Sequence, residues 1–341
     1  MSSQGAVGFH LAVDGGNSKT VAVVVESDGT VRGRGRGGCC DIYATARPQD
    51  GVAEVVAAVT RATREAGDPE LAGAAFRLAS CDWPEDLQWW TGQLRDQLPQ
   101  LGGLDHDTLQ VGNDALSSLR LGDLQGVGVS VVVGTGPAIG ARNVDGREAW
   151  SGVWIYDSMA GIGLSDAAMA AVCKAWLGIA PQTALTPALL EFFDEPDVWH
   201  LNHSFRRRFD ARDPAELRRA TRTVMRVAAG GDPVARQLVA EQGRLFADYA
   251  QAVAGQAGVG TGDGLPVVLN GSIATSELVV VRDALVAALG ERFPDSAVIV
   301  AEASPIDGAV LDALAAGGVE LTAALRDRIV ATVHPEDFLT T

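Results

Sequence analysis

The sequence lacks the short signatures of several large enzyme classes. It contains no G-x-S-x-G nucleophile turn, no H-E-x-x-H zinc motif and no G-x-x-x-x-G-K-[ST] phosphate loop. Histidine is scarce as well, with 5 residues in a chain of 341. These absences argue against α/β-hydrolases, zinc peptidases of that type and P-loop nucleotide hydrolases.

Cysteine is also scarce, and long apolar runs are absent. The 4 cysteines show neither C-x-x-C spacing nor a disulfide-like pattern, which suits a reducing compartment. No apolar run approaches the ~20 residues that span a bilayer. The N-terminal segment has neither the charged start nor the apolar stretch of a signal peptide. We therefore expect a cytoplasmic protein with no membrane partner.

Positive charge is in short supply. The chain carries 27 Lys and Arg against 43 Asp and Glu, a formal net charge of -16. This balance disfavours nucleic acid as a partner. One local basic stretch, residues 206–208 with Arg218, Arg219 and Arg222, is interpreted as a solvated helix face. The chain is 47% hydrophobic and long enough for two domains with separate cores.

The most informative stretch joins two β-rich runs near the N-terminus. The first run ends in Asp14 and the second begins at Val21; between them lies the first turn, made of Gly15, Gly16, Asn17, Ser18, Lys19 and Thr20. Its glycines permit close backbone approach, and its N–H groups and polar side chains suit phosphate oxygens. Asp14 is placed to hold a hydrated Mg²⁺, which takes one or two carboxylates. The alternative is a tight hairpin with a solvated carboxylate and amine.

The same unit recurs about 120 residues later. A buried-type strand at residues 129–133 leads into the second turn, Gly134, Thr135 and Gly136. Another strand follows, and Asp-Gly pairs at residues 28–29 and 145–146 predict a hairpin to a third strand in both copies. Two copies of one supersecondary unit predict a duplicated α/β domain. The two turns would then face each other across a cleft, where ligand sites usually lie.

The duplication suggests domain limits. We expect an N-terminal domain over residues 1–120 and a second domain over residues 121–303. A helix within residues 304–341 is expected to complete the first domain.

Several polar residues follow strands at the expected cleft. Asp114 is placed to orient and deprotonate a substrate hydroxyl during phosphoryl transfer, although Asn113-Asp114 is equally consistent with a helix cap. Gly271 and Ser272 would let a flat adenine ring lie against the backbone; a simple βα turn is the alternative. Weaker candidates for sugar recognition are Asp41, Asp82 and Asp157.

Four segments occur in the same order as in a known family: VDGGNSKT at 13–20, GTG at 134–136, LNGS at 269–272 and EASPIDGAVLDAL at 302–314. From about residue 9 to residue 316, the chain resembles the N-acetylglucosamine kinase-like, BadF/BadG/BcrA/BcrD-type ATPases of the sugar kinase, Hsp70 and actin superfamily. The resemblance implies two ribonuclease H-like domains that close over ATP–Mg²⁺ and a small sugar. It also implies a homodimer.

The resemblance assigns roles to the same residues. Asp14 and the first turn match the first phosphate element, and Gly134 to Gly136 match the second. Asp114 matches the catalytic base and Gly271-Ser272 the adenosine element. Three carboxylates match positions at or near the sugar: Asp82, Asp114 and Asp157. Asp41, in a segment that departs from the family pattern, is a weaker sugar-side candidate.

Departures from the family pattern lie at the presumed sugar side. Residues 156–161 read YDSMAG where the family usually reads GDEGSG, and the second turn is followed by Pro137 instead of serine. The leading hypothesis is an ATP-dependent kinase that acts on a hydroxyl of an amino sugar such as N-acetylglucosamine or glucosamine. The alternatives are an ATPase that activates a 2-hydroxyacyl-CoA dehydratase and a non-catalytic sugar or nucleotide sensor.

Overall fold

Two five-stranded sheets form the framework of the computed structural model, which describes residues 8–339. The first sheet has the order β3-β2-β1-β4-β5 and the second the order β8-β7-β6-β9-β10. The strands of the first are β1 (Phe9–Gly15), β2 (Thr20–Glu26), β3 (Val31–Gly37), β4 (Leu71–Leu78) and β5 (Leu109–Asn113). Those of the second are β6 (Gly128–Val133), β7 (Pro137–Arg142), β8 (Glu148–Trp150), β9 (Val267–Asn270) and β10 (Val298–Val300).

The two sheets have the same topology. In each, the first three strands form an antiparallel meander, and the first strand pairs in parallel with the fourth, which pairs in parallel with the fifth. The predicted hairpins at residues 28–29 and 145–146 join β2 to β3 and β7 to β8. The duplicated α/β architecture predicted from the repeated unit is therefore confirmed.

Helices cover the sheets and fill the second half of the chain. Three lie in the first half: α1 (Pro48–Glu65), α2 (Pro84–Gln97) and α3 (Leu119–Gly122). Seven follow: α4 (Ala160–Trp176), α5 (Leu185–Phe193), α6 (Val198–Arg206), α7 (Pro214–Leu217), α8 (Thr221–Ala229), α9 (Pro233–Ala257) and α10 (Val280–Arg292). The last are α11 (Pro305–Ala316), α12 (Ala323–Val330) and α13 (Glu336–Leu339). No helix within residues 8–339 is both long enough and apolar enough to cross a bilayer.

Local sequence misplaces the start of one helix and the length of another. Ser165 is of a helix-capping residue type, but α4 begins five residues earlier, at Ala160. The Ser165 hydroxyl is buried and lies 2.9 Å from the Thr221 hydroxyl. The extra turn is stabilised by bonds from outside the helix, including one from the Ala160 N–H to the Gln242 side chain. The pair Asp213-Pro214 is typical of a helix start, and Asp213 does cap α7, yet α7 is a single turn and not a long helix.

Helix α11 returns the chain to the first sheet. It packs against β1 and β4, and its residues Ile306, Leu311 and Leu314 are fully buried there. The domain limits at residues 120 and 303, and the completion of the first domain by a C-terminal helix, stay a prediction.

A buried ionic cluster connects the two halves. The Asp312 carboxylate, on α11, lies 2.6 Å from Arg77 of β4, 2.6 Å from Arg120 of α3 and 4.0 Å from Arg142 of β7. Asp312 is 1% exposed and Arg77 2%. Burial alone would raise the Asp312 pKa, but the three guanidinium groups outweigh it and hold that pKa below its usual value. One carboxylate thus links the first sheet, α11 and the second sheet.

We expect Asp312→Ala to reduce the free energy of unfolding by about 3–5 kcal/mol, because it leaves buried arginine charge uncompensated. Urea denaturation measures this loss. Asp327→Ala, in an exposed pair with Arg326, is the control and should change stability by about 0–1 kcal/mol. Because the folded pKa of Asp312 is depressed, its contribution should persist above about pH 4 and vanish as pH falls through the folded pKa. A loss no larger than the control's would contradict this role.

Candidate active site

A cavity of about 270 Å³ lies between the two halves of the chain. From the first half it is lined by Asn17, Asp41, Tyr43, Ala79, Ser80, Asp82, Asn113 and Asp114. From the second half it is lined by Pro137, Ala138, Ser151, Gly152 and Val153. The residues meet because β1, β4 and β5 are parallel, so their carboxyl ends share one edge of the sheet. Three of the four predicted sugar-side carboxylates, Asp41, Asp82 and Asp114, are brought together here.

Asp114 follows β5 directly and opens a single 3₁₀ turn, Asp114–Leu116. The cap of this turn is made by Asn113, whose side chain accepts the Ala115 N–H, so Asp114 is not needed for capping. Burial, together with the carboxylates of Asp14 and Asp82, raises the pKa of Asp114 to about 7. This carboxyl group can therefore take up or release a proton near neutral pH.

Asp82 faces the same cavity. It accepts a hydrogen bond of 3.0 Å from the Asn113 side chain, and the Trp150 indole donates to its backbone carbonyl at 3.2 Å. Burial, together with Asp86 and Asp41, raises its pKa to about 6. The second contact is notable because Trp150 belongs to the second sheet, so it links Asp82 to the opposite wall of the cavity.

Tyr43 is a cavity residue that the sequence reasoning did not single out. Its hydroxyl donates to Asp86 at 2.8 Å, and Asp86 in turn accepts the backbone N–H groups of Asp82 and Trp83. Burial and the Asp86 carboxylate raise the Tyr43 pKa to about 12. The ring is 59% exposed, so it borders the cavity as an accessible aromatic face. No local motif marks an isolated tyrosine of this kind.

The first turn joins β1 to β2, as predicted. A 2.8 Å bond from the Gly16 N–H to the Lys19 carbonyl closes it, and Asn17 and Ser18 are exposed at its tip. Thr20 differs from its predicted phosphate contact because it is fully buried and its hydroxyl donates to the Gly38 carbonyl at 2.9 Å. The Lys19 ammonium donates to the carbonyl of Leu339 in α13. Its contact with phosphate stays a prediction.

Glycine at position 15 serves packing as well. A Cβ there would lie 2.6 Å from the Cys40 sulfur and 2.9 Å from a Leu78 methyl group, so a larger residue would not fit between β1 and its neighbours. The Gly15 carbonyl accepts the Ala79 N–H at 2.7 Å. The turn is therefore anchored at its base and open at its tip.

Asp14 is suited to a divalent cation. It is partly exposed, and within residues 8–339 its carboxylate accepts no hydrogen bond. Burial is the main reason that its pKa rises to about 6; Asp307 adds to the rise and Lys19 opposes it. An incompletely satisfied carboxylate beside a second one fits the preference of Mg²⁺ for one or two carboxylates and several waters.

The second turn borders another cavity, of about 330 Å³. Gly134, Thr135 and Ser272 line it together, although Ser272 is far along the chain from the other two. The Ile273 N–H bonds the Val133 carbonyl at 3.0 Å and fixes the two segments side by side. Gly271 has φ +100°, and a Cβ there would lie 2.6 Å from the Val133 backbone, so this close approach requires glycine. The predicted second phosphate element and adenosine element thus share one cavity.

The structure adds to two sequence interpretations. Arg218, Arg219 and Arg222 are exposed on a helical segment, as expected for a solvated helix face, but they also line the second cavity. Asp157 lies outside both cavities; it is exposed and accepts the Tyr249 hydroxyl at 2.8 Å. Its role at the sugar stays a prediction. The arginines were visible as a basic cluster, but only the fold shows which turn they face.

No protein-family model matches the chain, and no curated protein matches it. Among solved structures, it is similar to a proposed N-acetylglucosamine kinase from Chromobacterium violaceum at 26% identity and a TM-score of 0.61, over 90% of this chain and 99% of that one. A second proposed N-acetylglucosamine kinase, from Porphyromonas gingivalis, matches at 18% identity and a TM-score of 0.60, over 89% and 98% of the two chains.

A ROK family glucokinase from Streptomyces griseus, solved with glucose and AMPPNP, matches at 18% identity and a TM-score of 0.53, over 90% and 98% of the two chains. All three likenesses extend over nearly the whole of both chains, so they cover both sheets and the cleft between them. The chain therefore belongs to the sugar kinase and actin-like ATPase superfamily.

Proposed function

We propose that this protein is an ATP-dependent sugar kinase that phosphorylates a hydroxyl group of an amino sugar such as N-acetylglucosamine or glucosamine. The observation that carries the proposal is the position of Asp114. It lines a cavity formed by both halves of the chain, with the tip of the first turn on one side and the strand after the second turn on the other. A sugar of monosaccharide size suits a cavity of about 270 Å³.

In the proposed reaction Asp114 is the general base. It would accept the proton of the sugar hydroxyl as that oxygen attacks the γ-phosphorus and the bond to the β-γ bridging oxygen breaks, leaving ADP. Asp82 and Asp41 would accept hydrogen bonds from other sugar hydroxyls and orient the ring. Their carboxylates also raise the Asp114 pKa, which makes it a stronger base than an ordinary aspartate.

The two turns would hold the donor. The open tip of the first turn, at Asn17 and Ser18, and the N–H groups of the second turn would bind the outer phosphates. The adenosine would lie at Gly271 and Ser272. Asp14 would hold Mg²⁺, which when bound neutralises charge on the phosphate oxygens. Closure of the two halves would exclude water, which otherwise competes with the sugar for the phosphate.

The amino sugar is the finer part of the proposal. It is supported by the whole-chain likeness to two proposed N-acetylglucosamine kinases. ATP consumption with Mg²⁺, measured against hexoses, amino sugars and N-acetylated amino sugars, tests it. We expect ATP turnover with an amino sugar. Turnover with glucose alone would refute the assignment of an amino sugar as acceptor. If no sugar supports turnover, the proposed kinase activity is refuted. Size-exclusion chromatography with light scattering tests the proposed homodimer.

We expect Asp114→Asn to lower kcat by about 10²–10⁴-fold, the range for loss of a general base, while ATP affinity stays within about twofold. Steady-state kinetics and calorimetric ATP binding measure the two quantities. Asp107→Asn, at an exposed site outside the cavity, is the charge-matched control and should leave kcat unchanged. Retained turnover in the Asp114→Asn variant would show that Asp114 is not the general base.

The pH dependence of kcat/KM should report Asp114. Because the base must be ionised and its pKa is about 7, kcat/KM should be half-maximal near pH 7 and level off above about pH 8. At pH 6 it should be about tenfold below the plateau, as expected for one proton and a pKa of about 7. Asp82→Asn removes a negative neighbour and should move the midpoint to lower pH. A profile that is flat between about pH 5.5 and 8 would contradict the assignment.

A further inference from the structure

The cavity beside the second turn is distinctly cationic. Its lining includes Arg218, Arg219 and Arg222, and it includes no carboxylate side chain. This is unusual in a chain with a net charge of -16. All three arginines are exposed, and within residues 8–339 none of their guanidinium groups has a hydrogen bond or an ion pair. Other arginines of the chain, such as Arg77, Arg244 and Arg292, do pair with carboxylates.

The three arginines lie on one face of a continuous helical segment. Arg218 and Arg219 are in the 3₁₀ turn Arg218–Ala220, which runs directly into α8, where Arg222 lies. Spacings of three and four residues put side chains side by side on a helix. Like charges at these spacings destabilise a helix, so the cluster weakens the fold unless an anion neutralises it.

Fixed hydrogen bonds tie this segment to the second turn. The Thr221 hydroxyl donates to the Gly161 carbonyl at 3.0 Å, and the Gly161 N–H donates to the Gly134 carbonyl at 3.1 Å. The Ile162 N–H donates to the Thr135 carbonyl, also at 3.1 Å. The helical segment that carries the arginines is therefore anchored beside the turn.

We propose that Arg218, Arg219 and Arg222 bind the phosphate chain of a nucleoside triphosphate and are donor-binding residues of this protein. The proposal rests on the proposed function, because that function places the donor at the second turn. Guanidinium groups match phosphate oxygens in charge and geometry. The arginines also supply local positive charge that attracts a polyanion to an otherwise acidic protein.

Calorimetric titration of the full-length protein with ATP and Mg²⁺ tests the proposal. The first variant carries two substitutions, Arg219→Gln and Arg222→Gln. The control is Arg208→Gln with Arg226→Gln, which removes the same charge from exposed arginines that line neither cavity and have no partner within residues 8–339. The first variant should raise the Kd for ATP about tenfold, as expected for loss of charge-assisted bonds, and the control less than twofold. Thermal melting checks that both variants are folded.

Two further measurements identify what the arginines bind. Adenosine carries no phosphate, so its Kd should change less than twofold in the first variant. The increase of the ATP Kd between low and high salt should be steeper in wild-type protein than in that variant. A variant that binds ATP as tightly as wild type, or that loses adenosine and ATP binding equally, would overturn the proposal.

The outcome can be separated from that of the kinase proposal. Arginine-dependent ATP binding without sugar-dependent turnover would support these residues and refute the kinase. Sugar-dependent turnover, with ATP binding that does not depend on the arginines, would support the kinase and refute the role of these arginines. Wild-type protein that binds no ATP would overturn both.

Discussion

The arrangement of the two halves depends on one buried carboxylate. Asp312 joins Arg77, Arg120 and Arg142, which come from the first sheet, the helix after it and the second sheet. Removing charges from water is expensive, so such a cluster persists only when its geometry satisfies every member. In this protein the cluster fixes the position of one sheet relative to the other, and the cleft between them depends on that arrangement.

The cleft has carboxyl groups on one side and guanidinium groups on the other. On one side the pKa values of Asp14, Asp82 and Asp114 are all raised, chiefly by burial, and Asp14 and Asp82 add to the rise at Asp114. On the other side three arginines lack partners among residues 8–339. Burying the carboxyl groups without cationic partners is unfavourable, because their charged forms lose hydration. Folded pKa values above that of an unfolded aspartate mean that these carboxyl groups favour folding in acid and lose that contribution as pH rises through about 6 to 7. Such a division suits a site that brings a polyanionic donor to a hydroxyl beside a base.

The parts of the fold that local chemistry determines could be predicted from the sequence. The Asp-Gly pairs predicted both hairpins, and the repeat of the strand, turn and hairpin pattern predicted the duplicated sheets. The site was predictable where a polar residue follows a strand, as at Asp82 and Asp114. Features fixed by distant contacts were not predictable. The start of α4 depends on Gln242, and the position of Arg222 depends on a bond between Thr221 and Gly161.

The most direct measurement is a crystal structure with AMPPNP, Mg²⁺ and the amino sugar that best supports turnover. The account predicts a triphosphate that contacts both turns, and a sugar in the cavity lined by Asp82 and Asp114. One sugar hydroxyl should lie within hydrogen-bond distance of the Asp114 carboxylate and face the γ-phosphate. A nucleotide bound away from the two turns, or a sugar whose hydroxyl groups do not approach Asp114, would contradict the account.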